Sequence, residues 1–124
     1  MIHSSPHETE IFITAADFAK QLLESGHKLD RIFLYKDAVQ AAIDTQIPQQ
    51  GQQRPIDSLL TLKENHAINI QACIANSTRR GLLNYSEANR YEKHTNLIPE
   101  VELVGLGEMT EACINSDRVI TFAA

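Results

Sequence analysis

Residues 69–81 read NIQACIANSTRRG, and this stretch decides the fold. It predicts a buried strand over residues 68–74 that runs out at a single cysteine, followed by a helix over residues 76–83. Backbone N–H groups at a helix start and nearby arginines both favour a thiolate over a thiol. Because the thiolate is the nucleophile, Cys73 is a candidate for sulfur chemistry, whereas an inert role would match most lone cysteines, which are small buried apolar residues.

The composition describes a single small domain. The chain has 124 residues, of which 43% are hydrophobic, and this is enough for one core of helices packed on a sheet. We therefore expect one domain over residues 1–124. The net charge of −5 argues against a broad nucleic-acid-binding surface, so any role with RNA is expected to be indirect. The absence of signal-peptide features and of a long apolar run predicts a cytoplasmic protein without a membrane span.

Hydrophobic periodicity predicts strands that alternate with helices. Short apolar runs predict strands over residues 29–35, 68–74, 101–104 and 118–122, and residues 1–3 are interpreted as a truncated strand at the sheet edge. The first helix is expected to turn six apolar side chains inward: Ile11, Ala15, Phe18, Ala19, Leu22 and Leu23. This alternation predicts an α/β domain with a mainly parallel sheet and helices on both faces.

Helix-start and loop signals divide the remaining chain. Ser5 and Glu8 have the spacing of a capping box, with Pro6 at the first helical position. Ser86 is predicted to cap a later helix. Residues 46–55 are rich in Gln and contain two prolines and a glycine, which predicts a loop.

The two cysteines are expected to differ in role. Ligand sites in parallel α/β sheets lie at the carboxyl ends of strands, and Cys73 is predicted at such an end. Cys113 is predicted on the inward side of a helix, so we expect it to be buried and unreactive. Neither a structural disulfide nor a zinc site is expected from two isolated cysteines. The role of Arg79 and Arg80 stays open. They are either ordinary solvent-exposed or ion-pair residues, or a source of positive potential for a thiolate or a partner.

Other chemistries have weaker signals. Residues 105–107, Gly-Leu-Gly, lack the third glycine of a dinucleotide loop because residue 110 is threonine, so a tight turn is the expected structure. The five histidines are scattered, and the pair His3 and His7 is interrupted by Pro6. We therefore expect no metal site and no organic cofactor.

Three groups of segments carry a family resemblance: residues 18–27 with 32–39; Cys73 with Ala75 and the Arg-Arg-Gly of 79–81; and residues 105–108 with 111–112 and 116–122. They span nearly the whole chain in the family's order. The chain thus resembles the DsrE/DsrF-like family, in particular its TusD-type sulfur-relay members. This resemblance implies a five-stranded parallel sheet with flavodoxin-like layering, a sulfurtransferase activity, and Cys73 as the cysteine that carries a persulfide.

The resemblance also implies partners and a pathway. Members of this type form a heterohexamer with TusB-like and TusC-like subunits, accept sulfur from a TusA-like donor and pass it to a TusE-like acceptor. The route ends in 2-thiouridine in tRNA, with no direct contact to nucleic acid or membrane, and homo-oligomers are an option for the isolated chain. Two alternatives remain open: the same carrier chemistry in DsrEFH-type sulfur oxidation, and a non-catalytic interaction subunit with a structural cysteine.

Overall fold

A computed structural model describes residues 1–7 and 9–124, and in them helices surround a three-stranded parallel sheet. The elements follow in the order α1 (Thr9–Glu24), β1 (Arg31–Leu34), a 3₁₀ helix (Lys36–Ala42), α2 (Asp57–His66), β2 (Asn69–Cys73), α3 (Ile74–Arg79), α4 (Tyr85–Arg90), β3 (Val101–Val104) and α5 (Leu106–Asn115). The central strand is β2, which pairs in parallel with β1 on one side and β3 on the other. The single-domain α/β fold with a parallel sheet is confirmed.

The expected number of five strands is wrong for the described residues. Ile2 forms single parallel bridges to Leu34 and to Phe122, so the two outer segments reach the sheet without becoming strands. The first segment is short, as predicted, but it lies between β1 and the C-terminal segment rather than at the sheet edge. The predicted strand over residues 118–122 is reduced to the bridge at Phe122. The physical reason is that Ile2 forms only one bridge to each neighbouring segment, so too few successive residues are paired to make a strand.

The face of the sheet that packs on α1 and α2 forms the main core. Alternate strand residues such as Ile32, Ile70 and Val101 point to this side and are buried. The predicted helix α1 is present, and four of its six expected side chains contact the core: Ala15 and Ala19 are buried, and Ile11 and Leu23 pack against it. The helix also buries Phe12 completely, whereas Phe18 is 44% exposed and lies edge-on to Phe122 with ring centroids 5.7 Å apart.

The helix starts differ in detail from the expected ones. The capping box of Ser5 and Glu8 falls partly outside the described residues, and Ser5 Oγ accepts a hydrogen bond from the His7 N–H at 3.2 Å. Helix α4 is capped by Asn84 rather than Ser86, and Asn84 Oδ1 accepts from the Glu87 N–H at 2.8 Å. The loop predicted over residues 46–55 contains neither helix nor strand.

The opposite face of the sheet is covered by α5 and is only half apolar. Its side chains come from odd positions on β1 and β2 and even positions on β3: Arg31, Phe33, Gln71, Cys73, Glu102 and Val104. None of the ten residues of α5 is buried, so this helix packs only loosely on the sheet. No helix in the described part of the chain is both long and apolar enough to cross a membrane.

Candidate functional site around Cys73

Cys73 lies where the sequence placed it, at the junction of β2 and a short helix. It is the last residue of β2 and the N-cap residue of α3, although α3 begins at Ile74, two residues earlier than expected. The sulfur accepts no capping hydrogen bond from the described residues of α3. The predicted junction between strand and helix is therefore confirmed, but the Cys73 side chain makes no capping hydrogen bond to the described residues of the helix.

The Cys73 side chain is fully buried, at 0% exposure, in a small apolar cluster with Phe33 and Val104. Three partly exposed side chains pack against this cluster from outside: Met1, Tyr35 and Met109. A cysteine that exchanges sulfur has to be reachable by a partner thiol, and in the isolated chain this side chain is not accessible. The reason is the alternation of the strand, which turns Cys73 toward α5, where Met109 covers the cluster.

The start of the 3₁₀ helix after β1 is joined to α3 next to this cysteine. Lys36 adopts φ of 54°, and its backbone N–H donates to Asn76 Oδ1 at 2.6 Å. The Arg80 guanidinium donates to Asp37 Oδ1 through Nε at 2.9 Å and to the Asn76 carbonyl through Nη1 at 3.1 Å. Arg80 is thus a structural ion-pair residue, whereas Arg79 is exposed and makes no ion pair with the described residues.

Sequence reasoning missed Ser77, which is fully buried on α3 at 0% exposure. Its Oγ has no hydrogen-bond partner within the described residues. The only sequence signal was the spacing, because Ser77 follows Cys73 by four positions, one turn of helix. Buried hydroxyl groups are normally paired, so Ser77 is an exception to this rule within the described residues.

A polar network ties α5 to the sheet next to the Cys73 cluster. The buried Gln71 accepts a hydrogen bond from Arg31 Nη1 at 2.9 Å and donates from Nε2 to Glu102 at 3.2 Å and to Glu108 at 3.3 Å. Glu108 belongs to α5 and precedes Met109 directly. The network therefore links the first turn of α5, next to Met109, to the sheet.

Cys113 does not have the predicted surroundings. It is partly exposed on α5 and is among the residues that line an open cavity of about 1100 Å³ between α1, α5 and the segment that precedes β1. Its expected burial is wrong, because the α5 face that carries Cys113 borders this cavity instead of packing on the sheet. Burial lowers the pKa of the nearby Met1 amino group, and the electrostatic interaction with Cys113 partly opposes that shift.

His3 extends the polar edge of the site on the N-terminal side. Its ring lies 5.3 Å from the ring of Tyr35, and its Nε2 is buried without a partner in the described residues. Desolvation lowers the pKa of His3 from its usual value, and the charges of Lys36 and the Met1 amino group lower it further. His3 is therefore disposed to be neutral near pH 7.

The weaker sequence signals lead to ordinary structure. Gly105 is the N-cap residue of α5 with φ of −79°, and Gly107 is inside that helix, so residues 105–107 form a strand-to-helix junction rather than a phosphate-binding loop. Among residues 1–7 and 9–124, no group of three or more His, Cys, Asp or Glu side chains is arranged to hold a metal ion.

Known proteins resemble the chain over nearly its whole length. The model of the DsrE/DsrF-like family matches residues 1–122. A protein named DsrE from Allochromatium vinosum is 33% identical over 122 residues, covering 98% of this chain and 94% of the relative. A sulfurtransferase TusD from Salmonella enteritidis is 32% identical, with 98% and 96% covered. A crystal structure of the ychN protein from E. coli superposes with a TM-score of 0.74 at 26% identity, covering 98% of this chain and 95% of that one.

Proposed function

The chain belongs to the DsrE/DsrF-like family, and from this membership we propose that it is a sulfurtransferase subunit that carries sulfane sulfur as a persulfide on Cys73. The sulfurtransferase class is supported by the names of the TusD relatives. The observation that carries the assignment to Cys73 is its position at the carboxyl end of the central parallel strand, where α/β folds place their sites.

The proposed chemistry is thiol exchange in two steps. The Cys73 thiolate attacks the outer sulfur of a donor persulfide, the donor S–S bond breaks, and the donor leaves as a thiolate while Cys73 becomes a persulfide. An acceptor thiolate then attacks that outer sulfur and releases the Cys73 thiolate. No net oxidation occurs, because the sulfane sulfur keeps its oxidation state. Cys73 is a free thiol, as this exchange requires.

Access to the buried thiol depends on movement of its thin cover. The covering side chains Met1, Tyr35 and Met109 are themselves partly exposed, so their displacement would open a route from solvent to the thiol. Met1 and Met109 are the adaptable side chains of this cover, because an unbranched thioether side chain has three rotatable bonds. Met109 also stands on α5, a helix in which no described residue is buried. We infer that sulfur donors and acceptors reach Cys73 from the α5 side.

The test is sulfur loading followed by mass spectrometry. The chain is incubated with glutathione persulfide, alkylated and digested, and the added sulfur is located on Cys73 or Cys113. Loading on Cys73 that is lost in Cys73→Ser and kept in Cys113→Ser supports the proposal. Sulfur found on Cys113 alone contradicts it, and no sulfur on either cysteine favours an interaction subunit whose cysteine is structural.

The finer proposal places this carrier in tRNA thiolation. Its support is the set of TusD relatives at about 31–32% identity. In this scheme the chain assembles with TusB-like and TusC-like subunits as a heterohexamer in the cytoplasm, and relays sulfur from a TusA-like donor to a TusE-like acceptor. Deletion of the gene should then remove 2-thiouridine from tRNA, and complementation with Cys73→Ser should fail to restore it.

Sulfur oxidation is the second candidate pathway, favoured by the DsrE relative at 33% identity. The persulfide chemistry on Cys73 is the same in both pathways, so the thiol alone cannot separate them. The neighbouring genes separate them: genes for TusB-like, TusC-like and TusE-like proteins without sulfite-reductase genes support thiolation. Sulfur oxidation would be supported if deletion left the 2-thiouridine content unchanged and sulfite-reductase genes lay next to this one.

A further inference from the structure

Helix α5 is held against the sheet by little apolar contact. None of its residues is buried, and one of its sides lines the open cavity of about 1100 Å³. Met1, Phe33 and Met109 line this cavity too, and all three belong to the Cys73 cluster or pack against it. Segments with few buried apolar contacts open at low free-energy cost. The polar contacts of its first turn are therefore a substantial part of what holds α5 in place.

Those polar contacts meet at the Glu108 carboxylate. Its Oε2 accepts a hydrogen bond from Gln71 Nε2 at 3.3 Å and lies 3.9 Å from Arg31 Nη1. Gln71 belongs to β2 and is buried, and Arg31 belongs to β1, so one side chain of α5 reaches two strands of the sheet. Arg31 Nη1 also donates to Gln71 Oε1 at 2.9 Å, so the two sheet partners are bonded to each other independently of Glu108.

We propose that α5 is a lid over Cys73 and that the contact of Glu108 with Gln71 and Arg31 holds this lid closed. Met109 directly follows Glu108 and packs against the Cys73 cluster, so release of Glu108 frees the helix turn that carries the cover. The cavity beside α5 leaves the helix room to move. The inference rests on the proposed function and deepens it, because it names what controls the access of sulfur donors and acceptors to the buried thiol.

The Glu108 contact has a strength that suits a lid which has to open. The side chain of Glu108 is 52% exposed, so water and salt weaken its attraction to Arg31. The hydrogen bond from Gln71 is the stronger part, and the loss of one such bond changes an opening equilibrium about fivefold. A change of that size is readily measured as the rate at which a reagent reaches Cys73.

The experiment measures alkylation of Cys73 by iodoacetamide in the Cys113→Ser background, where Cys73 is the one remaining thiol. Glu108→Ala should raise the rate about fivefold. The matched control is Glu111→Ala, which removes a carboxylate from an exposed position of the same helix that has no ion-pair partner among the described residues, and it should react like the parent.

The urea dependence of the rate separates movement of the lid from global unfolding. Opening of α5 exposes far less surface than unfolding of the chain, so in low urea the rate for Glu108→Ala should change little with urea concentration. A rate that rises as steeply with urea as the global unfolding equilibrium would show that Cys73 reacts only in the unfolded chain, and this result would overturn the lid.

A double-mutant cycle assigns the effect to the contact with the sheet rather than to the helix start, where any acidic side chain is favourable. Gln71→Leu removes the hydrogen-bond donor from the sheet side and should also raise the rate, and Arg31→Gln gives a second comparison from that side. The double variant of Gln71 and Glu108 should react about as fast as Glu108→Ala alone, because both substitutions break the same contact. Effects that multiply, or an unchanged rate in Glu108→Ala, overturn the inference.

Sulfur loading of the same proteins separates the lid from the proposed function. With glutathione persulfide, Glu108→Ala should gain sulfur on Cys73 faster than the parent by the factor seen in alkylation. Equal loading rates despite faster alkylation would overturn the lid as the control of sulfur access. A parent that is alkylated on Cys73 but takes up no sulfur overturns the proposed function, whereas the alkylation rates then still decide whether Glu108 holds the lid.

Discussion

The backbone N–H of Lys36 donates to Asn76 Oδ1 at 2.6 Å, while Lys36 itself adopts φ of 54°. A left-handed conformation at a residue other than glycine costs free energy, and the surrounding structure has to hold it. Here the holding group comes from α3, the helix that begins at Cys73. The exit of β1 and the exit of β2 are therefore fixed to each other at the carboxyl edge of the sheet, where the candidate thiol lies.

The first prediction concerns this hydrogen bond. Asn76→Ala removes the acceptor and should lower the free energy of unfolding by about 1 kcal/mol, whereas Asn76→Asp keeps an acceptor oxygen and should lose less. Urea unfolding monitored by circular dichroism measures both. The control is Asn89→Ala on the exposed side of α4. Equal stability of Asn76→Ala and the parent would show that water replaces the Asn76 oxygen without cost.

The second prediction separates the two adjacent arginines. Arg80→Ala removes the hydrogen bonds to Asp37 and to the Asn76 carbonyl and should lower the free energy of unfolding by about 1 kcal/mol. Arg79→Ala should be close to neutral, since Arg79 is exposed and makes no ion pair with the described residues. Thermal unfolding of the two variants side by side gives the answer. A larger loss in Arg79→Ala than in Arg80→Ala would contradict the structure.

The third prediction concerns the relative reactivity of the cysteines in the isolated chain. Cys113 is partly exposed and Cys73 fully buried, so iodoacetamide should modify Cys113 first. Mass spectrometry of tryptic peptides over time measures both rates. In denaturing urea the two rates should converge. Faster modification of Cys73 under native conditions would mean that its cover is open for much of the time.

The fourth prediction tests that cover directly. Met109→Ala removes a side chain that packs against the Cys73 cluster, and alkylation of Cys73 should become several-fold faster. Thr110→Ala, at an exposed neighbouring position on α5, is the matched control and should leave the rate unchanged. An unchanged rate in Met109→Ala would place the route to Cys73 elsewhere, past Tyr35 or Met1.

The fifth prediction concerns pH. The pKa of His3 lies below its usual value of 6.5 in the folded chain, so between the two pKa values the unfolded state binds more protons. Stability is therefore complete above about pH 6.5 and falls as the pH drops below it. Urea unfolding at pH 7.5 and 5.5 should show a smaller decrease in His3→Gln than in the parent. His66→Gln, on the exposed end of α2, is the control, and an equal pH effect in all three proteins would remove His3 as the cause.

The sequence alone determined the family, the parallel α/β architecture and the strand end at Cys73. These depend on local patterns: apolar runs bounded by turns, and a cysteine followed at fixed spacing by Arg-Arg-Gly. The strand over Val101–Val104 matched its prediction residue for residue for the same reason. The comparisons confirm the family, and the residue that carries sulfur stays a prediction.

Only the tertiary structure decided which groups meet and which are hidden. Helical periodicity predicted an inward face of α1 that includes Ala15 and Ala19, and both are buried, but the tertiary packing placed Phe12 and not Phe18 in the core. Which of Cys113 and Cys73 is exposed depends on how α5 packs over the sheet. The burial of Ser77 without a hydrogen-bond partner is likewise a property of the packing. Periodicity fixes which residues share a face, whereas burial depends on neighbours distant in the chain, and no local pattern encodes them.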